Sequence, residues 1–194
     1  MSHGHGAGHG HGEGENKWVA ICISVLALCL ALAETAAKGA QTTTIASTVE
    51  ASNLWAFYQA KTIRQTTLKT ATEHMEADLA LAKDPEARAV LEKRIAGWKD
   101  EVARYQSEPK ANGKGEGRKE LQERAIAEGH KRDLYAEKYH QFEISSAAFQ
   151  IAIVLASVYL LTHITLIMAG AGIAFAVGIL FSILREFFPH LIHL

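Results

Sequence analysis

The 194-residue chain has only two cysteines and three prolines, and its polar middle has no cysteine at all. Cys22 and Cys29 sit inside the first apolar block, seven apart and so on one helix face. A helix separates such positions by about 10 Å, so no bridge forms within it. Both read as small buried side chains. An excess of one charge is lacking too. Between Glu34 and Glu143 there are 18 acidic and 18 basic residues. A nucleic-acid partner would require a basic face, so that class is excluded. Interspersed charge suits solvated helices laced with ion pairs. Catalytic patterns are also missing. There is no phosphate-cradling loop, since Gly113 to Gly117 is not followed by Lys-Ser/Thr, and no nucleophile motif. His74, His130 and His140 stand alone on helices. The reading is a non-enzyme with no built-in cofactor.

What the chain does have is two apolar blocks, Trp18 to Ala33 and Ile144 to Leu184. A membrane span needs about 20 residues. The first block, opened by Lys17 and completed by Glu34 and Lys38, reads as a span over residues 17–38. A cleaved signal peptide is the rival, because Ala31-Leu32-Ala33 resembles a cleavage site. The thin charged start and the unbroken helical pattern favour an uncleaved anchor. The second block is twice the hydrocarbon thickness as one helix. It therefore reads as two spans, 144–162 and 166–186, turning near Thr162 to Thr165, with a C-terminal tail over 187–194. Ala148, Ala152 and Ala156 repeat at four on one span. Gly170, Ala174, Gly178 and Ser182 repeat at four on the other, a packing seam or an oligomer contact. Gln150 is expected to hydrogen-bond across helices.

Residues 1–16 alternate glycine with other residues, too costly in entropy for an ordered fold. His3, His5, His9 and His11 lie on this tail. Imidazoles on a flexible chain bind zinc, nickel or copper weakly, either incidentally or for a selected purpose.

The middle, residues 39–143, reads as a helical stalk: helices over 41–83, 85–107 and 118–143, with a Pro- and Gly-containing loop over 108–117. Along the first helix the apolar seam is Ile45, Val49, Ser52, Ala56, Gln59 and Ile63, followed by Leu68, Thr72, Met75 and Leu79 on a shifted line. The second carries Leu91, Ile95, Trp98, Val102 and Tyr105. The third carries Leu121, Ala125, Tyr135, Tyr139 and Phe142, interrupted by Glu128 and Arg132. The economical arrangement is two shorter helices returning end to end beside one long one. A compact three-helix bundle is the alternative. Trp55, Phe57 and Tyr58 point in more than one direction, so a single partner helix cannot cover them. With Gln59 and Arg64 they mark the interaction stretch. Asn53, Gln59, Lys61, Arg64 and Gln65 are expected to hold helix register by hydrogen bonds.

The run Ala51 to Gln65 resembles a bacterial membrane-protein family, domain of unknown function 4337. The likeness continues through Tyr105-Gln-Ser-Glu-Pro109, Gly117-Arg-Lys-Glu-Leu121 and Gln150 to Ser157. It implies a bacterial, three-span membrane protein, and it brings no activity. With the helix pattern above, the expected fold is all-α: three transmembrane helices with a long antiparallel stalk between the first and second. The expected function is a membrane-anchored helical scaffold, self-associating or accessory to a membrane complex, in a bacterial inner membrane. Metal handling by the His-Gly tail is the alternative. The positive-inside count leans to a cytoplasmic stalk, but a loop of about 110 residues can translocate regardless of charge, so the opposite topology stays open.

Overall fold

The structure, a computed structural model, describes residues 11–110 and 115–187. Described residues form four helices and no strand: α1 (His11–Leu81), α2 (Pro85–Gln106), α3 (Arg118–Thr162) and α4 (Thr165–Phe187). Three of them, α1, α3 and α4, include stretches long and apolar enough to cross a membrane. The helix α1 is continuous for 71 residues. Only Gly39 marks the end of the apolar block, and one glycine costs a helix about 1 kcal/mol, too little to break it. The helix also begins at His11, inside the stretch read as a disordered tail.

The helix ends have local causes. Asp84 accepts a hydrogen bond from the Ala87 N–H at 3.0 Å, and Pro85 occupies the first turn, where its missing N–H costs nothing. Arg88 then reaches back. Its guanidinium donates to the carbonyl of Leu79, in the last turn of α1, and to that of Ala82, just past its end, both at 3.1 Å. Between α3 and α4 the chain reverses at His163, which takes φ 55°, a left-handed conformation that histidine tolerates better than most residues.

Two compact units emerge: Met1–Thr43 with Leu134–Leu194, and Thr44–Asp133. The first, the apolar unit, is built on small residues. Ala152 and Ala156 are fully buried, and Leu26, Ala33, Phe149 and Ala171 close the core around them. Its exterior is apolar as well: Leu28, Leu32, Val154, Leu161, Leu166 and Ile173 are all exposed.

In the second, polar unit, α2 and α3 lie antiparallel to α1 in succession. Glu76 pairs with Lys99 at 2.7 Å, Gln65 bonds the Val102 carbonyl, Leu54 packs on Leu121, and Glu50 pairs with Arg124 at 3.7 Å. This is the end-to-end arrangement of two shorter helices beside a long one. The seam of α1, however, is not the line read from the sequence over Ile45 to Ile63, although the shifted line of Leu68, Thr72, Met75 and Leu79 does turn inward. Ile45, Val49 and Ile63 face outward. Ser47, Ala51, Leu54, Tyr58, Gln65, Leu68 and Thr72 turn inward, at heptad spacing and without a shift. Hydropathy pointed to the wrong side because the true seam carries serine, glutamine and threonine.

Candidate functional site

Where the two returning helices meet end to end, α1 offers Tyr58 and Gln65 from one face, two turns apart. Gln65 is 3% exposed, so its amide must be satisfied internally. Its Nε2 donates to the Val102 carbonyl at 3.0 Å and to Gln106 Oε1 at 3.1 Å, and its Oε1 accepts from Arg118 at 2.6 Å. Arg118 is the first residue of α3. Its other terminal nitrogen donates to the Tyr58 hydroxyl at 2.9 Å, and the guanidinium lies 4.9 Å from the Tyr58 ring centroid. Trp55 braces that ring edge-on, with centroids 5.4 Å apart. The forked guanidinium thus bonds two side chains of α1 while its charge faces an aromatic ring, a task the single ammonium of lysine cannot perform.

The loop between α2 and α3 is clasped beside this node. Glu120 accepts from the Ser107 hydroxyl and, at 3.2 Å, from the Glu108 N–H. Burial raises the Glu120 carboxyl, but the hydrogen bonds from Ser107 and from the backbone of Glu120 and Glu108 outweigh it and hold it below the ordinary value of 4.5. Gly117 is required by close approach: a Cβ there would strike the Glu120 carboxylate and the backbone of Ser107 and Glu108. Lys61 reaches the same loop, 4.9 Å from the Tyr105 ring centroid and 3.9 Å from the Glu108 carboxylate. On the flank lies an open hollow of about 500 Å³, lined by Asn53, Phe57, Lys61, Arg64 and Arg124 among others.

The residues marked in the sequence therefore scatter. Tyr58 is half-buried in the node and Trp55 braces it. Phe57, Gln59 and Arg64 are exposed. Among the expected register-holding residues, Gln65 and Lys61 make contacts across helices, while Asn53, Gln59 and Arg64 lie on exposed positions. Arg118, Gln106 and Glu120 were missed. Each looks like any charged or polar residue of a solvated helix. The available signal was membership of the quoted segments 105–109 and 117–121, which converge here on 51–65.

In the apolar unit, Gly178 is buried at the closest approach of α3 and α4: a Cβ would meet the Phe149 ring at 2.6 Å. Ser145, fully buried, donates to the Gly178 carbonyl at 3.1 Å, and Ser182 donates to Ser145 at the same distance. Gly170 and Ala174 are half-buried, Gly170 in ordinary contact with Leu155. Gln150 reaches Glu34 at 3.5 Å. Cys22 and Cys29 are free and half-buried. His3, His5 and His9 lie outside the described residues, as does the side chain of His11. Among the described residues no cluster of His, Cys, Asp or Glu could hold a metal ion.

No curated protein and no solved structure matches the chain. A family model, Domain of unknown function (DUF4337), matches residues 15–187. That span takes in the node, its clasped loop and the Gly178 contact, and on it the chain belongs to the DUF4337 family.

Proposed function

We propose that this protein is a membrane-anchored helical scaffold that self-associates or attaches to a larger membrane complex, in a bacterial inner membrane. The carrying observation is the contrast of exteriors. The apolar unit exposes Leu32 at 64%, Leu161 at 84% and Leu166 at 80%, a surface that water would drive to aggregate and that lipid solvates. The polar unit shows charged helix faces and ties its segments with a hydrogen-bonded node. That node supports a mechanical reading. It makes a helix junction stiff, and it presents the exposed side chains of α1 at fixed register. Two measurements test the proposal. Membranes washed at high pH should retain the full-length protein; its release would refute the anchor. Native mass spectrometry of protein gently extracted from its own membrane should show an oligomer or a bound partner protein; a lone monomer would refute the scaffold.

A further inference from the structure

The face of α1 opposite its inward seam is bare. Ile45, Val49, Ser52, Ala56, Gln59 and Ile63 are all exposed, Ile45 by 58%, Val49 by 54% and Ile63 by 67%. Their spacing is four-three-four-three-four, which lines them up about 180° around the helix from Leu54 and Gln65. The strip continues through Thr66 and Thr70 and holds no charged residue. Thr66 and the flanking Thr48 and Thr67 are already satisfied. Thr48, Thr66 and Thr67 donate to the carbonyls of Thr44, Thr62 and Ile63 at 2.8, 3.0 and 3.0 Å. Their methyl groups are left as the outward contact surface.

We infer that this strip is the contact between two copies of the chain, which pack α1 against α1 in parallel as a left-handed helix pair. This deepens the self-association proposed above and rests on it. Charge decides the occupant. A partner bearing the alternating charges of the outer faces of α2 or α3 would bury them against methyl groups without a counter-charge. A second copy of the strip buries none. The heptad spacing suits a left-handed helix pair, and Val49 and Ile63 put β-branched residues at positions where parallel pairs favour them. The strip is about 38 Å long at the helical rise and about 10 Å wide, hence about 400 Å² per copy. Both copies together bury about 800 Å², below the size of a stable interface between soluble proteins. Confinement in one membrane supplies the remainder, since it raises the effective concentration and gives every copy one orientation.

The test uses full-length protein in its own membranes, carrying Cys22→Ala and Cys29→Ala. Single substitutions Ser52→Cys, Ala56→Cys, Gln59→Cys and Ile63→Cys are compared with Asn53→Cys and Ala96→Cys, exposed positions off the strip. Native mass spectrometry of each establishes the oligomer first. Oxidation should link copies through the four strip positions about tenfold more than through the two controls. An oligomer that links no better through the strip overturns the inference while self-association stands. A strip cysteine that links to a different polypeptide also overturns it, and a monomer overturns both readings. Adding Ala56→Glu to the Ile63→Cys chain should lower linking about tenfold by like-charge repulsion. Mixing that chain with one carrying Ala56→Lys should restore it.

Discussion

The two units hold helical segments together by opposite means. The apolar unit packs alanine and glycine against Phe149 and adds two serine hydroxyls. The polar unit packs fewer apolar side chains and relies on Gln65, Arg118 and Tyr58. Under the proposed membrane anchoring, solvent explains the difference. In lipid, moving a leucine from the exterior to a helix interface gains little, so contact depends on close approach and a few hydrogen bonds. In water the apolar stripe is thin, and a buried amide with all its partners sets the register that hydrophobicity alone leaves loose.

This comparison can be broken at its tightest point. Gly178→Leu drives a side chain into the Phe149 ring and should cost about 3 kcal/mol, read as loss of thermal stability in micelles. Hydrogen exchange in the polar unit should not change. If it rises equally, the units do not stabilise themselves separately. Next in size is Arg118→Ala, expected to cost about 2 kcal/mol by leaving the Gln65 Oε1 and Tyr58 hydroxyl without their charged donor. Faster exchange should be confined to the amides around Tyr58 and Gln65. Arg118→Lys should recover less than half of the loss, because one ammonium cannot serve both acceptors. Full recovery would show that charge alone matters there.

Ser145→Ala sharpens the contrast on the other side. It removes one hydroxyl between α3 and α4 and should cost about 1 kcal/mol, measured by the same thermal assay. Glu120→Gln has the smallest effect at neutral pH and the clearest pH signature. The folded-state carboxyl titrates below its ordinary value, so its contribution is complete above that value of 4.5 and fades as pH falls through the lower folded one. Protection of the Glu108 amide, relative to the intrinsic exchange rate at each pH, should therefore fall on acidification in the native chain. The glutamine variant should lack that step.

Much of the architecture was legible in the sequence. A stretch from Gln41 to Lys83 without proline or glycine reads as helix, Asp84-Pro85 reads as a restart, and Ala148, Ala152 and Ala156 read as an inward stripe; each rests on local chemistry. The face of α1 that turns inward before Leu68 was not legible. Ile45, Val49 and Ile63 outrank Ser47, Ala51 and Gln65 in hydropathy, yet the latter are buried. The partners of Gln65 come from residues 102, 106 and 118, and no local window of α1 contains that information. The node was invisible for the same reason: Arg118 acquires its role only when α3 begins beside Tyr58.

The order of contacts along α1 also bears on how the polar unit forms. Glu76 meets Lys99, Gln65 meets Val102 and Gln106, Tyr58 meets Arg118, and Glu50 meets Arg124. Each pair encloses the one before it, around the turn at Asp84. Once the innermost pair has formed, every later pair closes a short remaining loop instead of the whole intervening chain, which keeps the entropy of each step small. The nesting implies a zipper that starts where Arg88 grips the end of α1 and runs outward. Pulse-labelled exchange during refolding would show it as protection that reaches Leu79 before Leu54. Arg118 would then act as a relay, the point at which a finished α1–α2 hairpin passes the growing structure on to α3.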